Sequence, residues 1–394
     1  MRVYIFLFSV FISGFFFSCD STAKKKVELE ESHFHQDSLA LLYNPQERDP
    51  KVHEFMQRLH KRSGFNGNVL VAKKGKIIYQ NSFGWANYLM RDSLNLNSQF
   101  ELASVSKPIT ALAVLKLMEE GKLRLDQKIE EFFPKFPNKG ITIEHLLTHQ
   151  SGLGNYIYFT ESEWKDKRKG MSNQDVLDIF YRIQPAPYAK PGGRFFYNNT
   201  NYMMLASIVE KVSGMTFPQY MEENVLKPLG MRNTNLYSTV EYDKIPTDVI
   251  GHDKIWRRSV VQNFQDGTYG DKGIYSTIHD LYLLDRNLRN GRLLSQETLD
   301  SAYVARSKKN KNLFSYGYGW RTFESENDHV VYHTGWWHGF KSLYIRDLKN
   351  DVVIVLLTNL ANNSLLNLDS LYRILDMPII RQEAYNGRGE LVAK

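Results

Sequence analysis

The stretch Phe100-Glu101-Leu102-Ala103-Ser104-Val105-Ser106-Lys107-Pro108 decides how the rest of the chain is read. A serine and a lysine stand three residues apart at the mouth of an apolar run, Ile109 to Met118. Residues i and i+3 share a helix face, about 5–6 Å apart at Cβ, so this hydroxyl lies within reach of an amine. A serine hydroxyl is a weak nucleophile until such a base takes its proton. Pro108 suits a first turn, where its missing N–H breaks no bond. The run behind it is apolar on every side, the pattern of a buried helix. Its N-terminus offers Ser104 free N–H groups and the positive end of the macrodipole, a favourable setting for an oxyanion. The bland alternative is a serine that caps a core helix. Ser-x-x-Lys recurs at Ser21/Lys24 and Ser162/Lys165, but only the copy at Ser104 runs into a long apolar helix.

Upstream, the pattern predicts a helix over Pro50 to Arg62, then strands at Asn68–Ala72 and Lys76–Gln80 around a turn at Lys73-Lys74-Gly75. Downstream, helices are expected at Thr142–Thr148, Asn173–Tyr181, Tyr202–Ser213 and Phe217–Leu226. Gly267 to Gly273 is glycine-rich, but it lacks the ending of a phosphate loop and reads as a turn. Thr277 to Asp280 reads as a capping box for a helix through Leu288. Strands return at His329–Thr334, Lys341–Arg346 and Val352–Thr358, before a last helix over Ser364–Leu375. The expected class is α+β: an antiparallel sheet formed by the N- and C-terminal segments, flanked by helices, with a helical subdomain inserted between.

The chain has 394 residues, 42% hydrophobic and 24% charged, ample for a large core. The net charge of +7 is spread along the sequence. No basic helix carries interleaved aromatics, which excludes nucleic acid as an expected partner. The only cysteine is Cys19, so there is no disulfide framework. Met1-Arg2, the apolar run Val3–Phe17 and Ser18 have the layout of a secretory signal. Cys19 directly after it resembles a bacterial lipoprotein cleavage site, although Phe16 and Phe17 stand where a leucine and a small residue are usual. The expected organisation is a signal peptide (1–18), a lipid-anchored polar tether (19–50), one main domain (51–380) and a C-terminal tail (381–394). The protein is then exported to the cell envelope or periplasm and held to a membrane by its anchor. His33 and His35 read as solvated tail residues. His333 and His338 have no acidic or cysteine companion, so no metal and no cofactor are expected.

Two more stretches are distinctive. Pro191-Gly192-Gly193-Arg194-Phe195-Phe196-Tyr197-Asn198-Asn199 is a loop that delivers a tyrosine just before a helix. His333-Thr334-Gly335-Trp336-Trp337-His338-Gly339-Phe340 lies between two strands, with glycine where a substrate backbone can approach an edge. With Ser104-x-x-Lys107, these resemble the motifs of the penicillin-recognising serine hydrolases. The closer resemblance is to the branch of class C β-lactamases, D-Ala-D-Ala carboxypeptidases, D-aminopeptidases and related esterases, whose second motif is Tyr-x-Asn. Here Tyr197 follows Ser104 by 93 positions, and His333 follows Tyr197 by 136. Supporting stretches are Ile143-Glu144-His145-Leu146-Leu147-Thr148-His149-Gln150-Ser151-Gly152-Leu153 and Gly273-Ile274-Tyr275-Ser276-Thr277.

The resemblance implies that Ser104 is the acylated nucleophile and that Lys107 and Tyr197 share its proton. A phenol or an amine titrates near ~10 and becomes a base at neutral pH only when its surroundings shift it. The resemblance further implies that Asn199 holds Lys107 and a substrate amide. His333, Thr334, Gly335 and Trp336 bind substrate, and the N–H groups of Ser104 and Trp336 form the oxyanion hole. One departure stands out: the third motif opens with His333 where lactamases carry lysine. A largely neutral histidine can donate a hydrogen bond but holds a substrate carboxylate less well. The expected activity is therefore hydrolysis of an ester, a D-amino-acid peptide or another amide, ahead of β-lactams. The rival expectation is a non-catalytic envelope protein that keeps the fold and binds wall peptides. Tyr158, Trp164, Trp336 and Trp337 are candidates for the cleft wall.

Overall fold

The computed structural model describes Ser38 and residues 41–241, 244–307, 314–381, 384–385 and 391–392. The expected signal segment, Cys19, most of the expected tether and most of the expected C-terminal tail lie outside these residues. Helix α1 (Pro50–Ser63) starts where Asp49 accepts hydrogen bonds from Lys51 N and Val52 N, and stops at Gly64 in the left-handed region. Strands β1 (Gly67–Lys73) and β2 (Lys76–Phe83) follow as a hairpin. The stretch around Ser104 then leads into α2 (Ser106–Glu119), followed by α3 (Ile143–Leu147), α4 (Asn199–Ser213) and α5 (Ile278–Arg289). The sheet resumes with β3 (Phe314–Tyr316), β4 (Arg321–Glu324), β5 (His329–Trp337), β6 (Phe340–Asp347) and β7 (Val352–Thr358), and α6 is Asp369–Ile374.

These seven strands form one antiparallel sheet in the order β2-β1-β7-β6-β5-β4-β3. The first strand is zipped to the last one: Gly67 faces Thr358 and Lys73 faces Val352. The class is α+β, with the helical insertion between the two halves of the sheet. Alternation along the strands supplies two cores. Leu70, Ala72, Val353, Val355 and Leu357 face the helical side, whereas Val69, Val71, Val352, Ile354 and Leu356 face α1 and α6. A sheet buried on both faces reads as a continuous apolar run, as Val352–Leu357 does. On the helical side α2 is buried from Ser106 through Leu115, and each large apolar side chain it buries contributes roughly 1.5–3 kcal/mol.

Several expectations need adjusting. Helix α4 begins at Asn199 instead of Tyr202, because Asn198 caps it by accepting from Thr200 N at 2.9 Å. The helix from Phe217 ends at Met221 and continues as a π-turn over Glu222–Leu226. The last helix is a short 3-10 turn at Ser364–Leu366 followed by α6. Thr277 does cap α5, accepting from Asp280 N, but the reciprocal half of a box is missing. The Asp280 carboxylate instead accepts from Asn233 N and Thr234 Oγ1, both at 2.7 Å.

Candidate active site

Ser104 lies in a single 3-10 turn, Ala103–Val105, that feeds into α2. Neither this turn nor α2 has a side-chain cap, so Ser104 is not a capping serine. The turn is held from both sides. Leu102 N donates to Ile274 O at 2.8 Å, and Leu102 O accepts from Ser342 Oγ at 2.6 Å. Between them Ala103 has φ +50°, an uncommon conformation for a residue with a Cβ. The surrounding bonds hold that backbone and turn Ser104 into a half-buried position.

Lys107 is fully buried, and its Nζ donates to Ser104 Oγ at 2.9 Å and to the Asp271 carbonyl at 3.0 Å. The same Nζ lies 5.1 Å from the centre of the Tyr197 ring. Three stretches far apart in sequence therefore meet at one place. Asn199 is the first residue of α4 and does not bond Lys107; the acceptor is the Asp271 carbonyl, which sequence reasoning did not foresee. Tyr197 is braced by His149, whose carbonyl accepts from Phe196 N at 2.9 Å and whose Nδ1 accepts from Asn198 N at 3.1 Å. The two rings are 4.5 Å apart. Burial, then Lys107 and Arg321, push the His149 pKa well below its ordinary value, so the ring is neutral.

His333 is fully buried as well. Its Nδ1 lies 2.8 Å from the Thr334 carbonyl, which only accepts, so Nδ1 carries the proton. Nε2 then accepts from Tyr316 O–H at 3.1 Å. Both ring nitrogens are held by the protein, and the expectation that His333 donates to substrate is replaced by a structural role. Burial, then Arg321 and Lys107, hold it neutral. The cation near this position is Arg321, whose guanidinium carbon is 5.2 Å from the Tyr197 ring centre. Arg321 carries no motif signal and becomes visible only once β4 lies beside β5.

Strand β5 passes directly against the turn that carries Ser104. A Cβ added at Gly335 would lie 2.2 Å from both Leu102 O and Ser342 Oγ, so only glycine fits. The β5–β6 hairpin closes at Trp337 and Phe340 across His338 (φ +40°) and Gly339 (φ +84°), the signature of a two-residue type I′ turn. Counting back from that closing pair, Trp336 and Lys341 form a non-hydrogen-bonded pair. The Trp336 N–H thus points away from β6, toward the edge that β4 leaves open beyond Arg321 opposite Tyr332. By the same alternation Trp336 shares a face with Thr334 and is 70% exposed. Trp337 turns toward the helical side, where its Nε1 donates to Asp266 Oδ1. Among the described residues no group of three or more His, Cys, Asp and Glu is placed to hold a metal ion.

A family model, Beta-lactamase, matches residues 51–375. The chain belongs to the β-lactamase family. Among curated relatives, Penicillin-binding protein 4* of Bacillus subtilis is 32% identical over 328 residues, 80% of this chain and 72% of that protein. The putative penicillin-binding protein PbpX of the same species is 27% identical over 84% of this chain and 79% of its own length. Among solved structures, a penicillin-binding protein from Bacillus halodurans superposes with TM-score 0.70 at 26% identity, covering 81% of this chain and 98% of that one. D-amino acid amidase from Ochrobactrum anthropi shares the fold at TM-score 0.67 and 21% identity, covering 82% of this chain and 94% of that one. The β-lactamase family of this kind is one of serine hydrolases and penicillin-binding proteins.

Proposed function

We propose that this family member is a serine hydrolase that forms an acyl-enzyme on Ser104. The observation that carries the reading is the contact of Lys107 Nζ with Ser104 Oγ at 2.9 Å, beside the Tyr197 ring. In the neutral state Lys107 takes the serine proton while one of its N–H groups stays on the Asp271 carbonyl, which keeps the lone pair aimed. Tyr197 then relays the proton: its phenol gives its own proton to the leaving group and takes the one held by Lys107. The N–H groups of Ser104 and Trp336 stabilise the oxyanion, and removal of one such donor typically costs about 100- to 1000-fold in rate. Asn199, half-buried at the start of α4, is left available for a substrate amide.

The charges around the site bear on the substrate class. His333 is neutral and fully engaged, so a substrate carboxylate has no cation there. Arg321 supplies the positive field instead, from a buried position beneath Tyr197. This supports an ester or D-amino-acid peptide or amide, with β-lactams as poorer substrates. The test compares the parent with Ser104→Ala on p-nitrophenyl esters, D-Ala peptides and nitrocefin, with a fluorophosphonate label to locate the adduct. The expected result is a labelled Ser104 in the parent and loss of turnover in the variant. Retention of every activity by the variant removes Ser104 from the chemistry. Peptide binding without turnover or adduct in the parent favours the binding-protein reading.

We further infer export and a lipid anchor at Cys19, from the basic start, the apolar run and the cysteine directly after it. Metabolic labelling with an alkyne fatty acid should mark the parent and not Cys19→Ser. Equal labelling of the two sinks the anchor.

A further inference from the structure

Beside the active-site strand, two neighbouring loop tips carry large apolar side chains into solvent. The first tip joins the short strand pair Trp85–Asn87 and Asp92–Ser93, and exposes Leu89 (84%) and Met90 (66%). The second spans 253–258 and exposes Ile255 (57%) and Trp256 (83%). They form one surface. Ile250 N donates to Ala86 O at 2.9 Å, Tyr88 N to His252 Nε2 at 3.4 Å, and the Arg257 guanidinium carbon lies 4.8 Å from the Tyr88 ring centre. Both tips are fixed in shape. Asn87 Oδ1 accepts from Leu89 N and Met90 N, and Asp253 N donates to Arg258 O at 2.9 Å. Arg91, Trp256 and Arg257 all have positive φ, a conformation that disfavours side chains yet is adopted three times here.

The surface reaches the active site. A Cβ at Gly339 would lie 2.3 Å from His252 N, so the β5–β6 turn packs against Gly251 and His252, which lead into the second tip. Lys341, paired with the exposed Trp336, lies close enough to Lys254 to feel its charge. The rim is basic: Arg91, Lys254, Arg257 and Arg258 are exposed, against Asp92 and the half-exposed Asp253, which accepts from Arg258 N.

Scattered exposed apolar residues need no explanation, but a cluster rimmed by charge marks a contact surface. Tryptophan and aliphatic tips flanked by arginine and lysine are the combination that settles at a lipid–water boundary, with the cations on anionic headgroups. We propose that the Leu89–Met90 and Ile255–Trp256 tips dock on an anionic phospholipid surface. Docking brings the Trp336 edge of the active site to the bilayer, where amphiphilic or lipid-linked substrates reside. The proposal stands apart from the identity of the nucleophile and from any anchor at Cys19.

A local probe separates this docking from any attachment through the N-terminus. In the full chain carrying Cys19→Ser, Met90→Cys is labelled with an environment-sensitive fluorophore. Glu326→Cys is the control, because it is exposed in the β4–β5 turn at the opposite end of β5. Labelled chains whose melts match the parent are mixed with vesicles of phosphatidylcholine, alone or with phosphatidylglycerol, with and without a doxyl-lipid quencher. The expected result is a blue shift and quenching at 90, only with phosphatidylglycerol and not at 326. Arg257→Glu with Arg258→Glu should weaken this by at least about 30-fold. Equal response at 90 and 326 overturns the proposal. So does a shift at 90 with a soluble anionic polymer and none with vesicles.

Discussion

Gly335 has no room for a side chain, because Leu102 O and Ser342 Oγ would each lie 2.2 Å from a Cβ. The first is the carbonyl at the N-cap of the Ser104 turn, so Gly335→Ala displaces the backbone that carries Ser104. A misplacement of ~1 Å typically costs about 100-fold in rate, whereas overpacking costs roughly 1–3 kcal/mol of stability. The variant should therefore stay folded and lose about 100-fold in kcat, read by ester turnover alongside a thermal melt. Unchanged kcat would mean that the turn does not depend on this approach. Glu101, three residues before Ser104, makes a second prediction. Burial, and then Asp266, raise its carboxyl from 4.5 to about 7, against the Gly273 N–H that bonds it at 2.9 Å and lesser help from Tyr275 and Lys272. The folded state holds this proton more tightly than the unfolded chain does. The stabilisation is thus fully present below about pH 4.5 and fades as pH rises through about 7. Glu101→Gln, which keeps an acceptor for Gly273, should flatten the fall in Tm between about pH 5 and about pH 8. A slope identical to the parent's contradicts the assignment.

The segment from Phe264 to Gly273 works as an element although its only regular part is the 3-10 turn Phe264–Gly267. Lys272 is 4% exposed, and its Nζ donates to Tyr156 OH at 2.7 Å and to Thr268 Oγ1 at 2.6 Å. Tyr156 O–H in turn donates to Asp271 Oδ2 at 3.0 Å, while Asp271 Oδ1 lies 3.7 Å from Lys272, too far for a hydrogen bond. Trp337 Nε1 donates to Asp266, and His338 Nε2 sits 2.8 Å from Asp266 Oδ2, off the axis of a hydrogen bond. This network holds the Asp271 carbonyl where Lys107 meets it. Lys272→Met should lower kcat about 10- to 100-fold and leave KM nearly unchanged. The readout is steady-state ester turnover, which separates kcat from KM, and a kcat equal to the parent's refutes the positioning role. In the sequence Gly267 to Gly273 reads as a turn, because the partner that ties Lys272 to the rest of the fold, Tyr156, lies 116 positions away. Ser104, Lys107 and Tyr197 were evident because their motifs are short and ordered along the chain. His149 was visible only as part of a family-like stretch, since its bracing of Tyr197 depends on a tertiary loop with φ +57°. The long strands β1, β2, β5, β6 and β7 announced themselves by apolar runs. Strands β3 and β4 did not: they are short, separated by Gly317-Tyr318-Gly319-Trp320, and owe their pairing to the sheet edge.

At the scale of the molecule, the sheet joins both halves of the sequence, and α5 is tied across its helical face by buried charge. Arg346 on β6 donates through Nε to Asp285 Oδ1 at 2.7 Å, with side chains 1% and 0% exposed. Arg289 Nε lies 3.0 Å from the same oxygen, and Arg286 bridges Asp285 to Asp351. Burial alone would raise the Asp285 pKa, but Arg346, Arg289 and Arg286 outweigh it and hold it at about 2. Such a network is weak evidence of net stability, because an apolar replacement of the whole can be neutral; removal of one partner is different. Asp285→Asn leaves Arg346 buried without its counter-charge, which typically costs about 3–5 kcal/mol. The sign of the pH effect follows from the depressed pKa. The contribution of Asp285 is complete above its ordinary 3.8 and is lost as pH falls through about 2. The gap in unfolding free energy between parent and Asp285→Asn should therefore be widest near neutrality and close as the pH is lowered across that window. Denaturant melts of both proteins along an acid series test this directly, and a gap that stays constant down to the lowest pH would show that the cost arises from packing and not from charge.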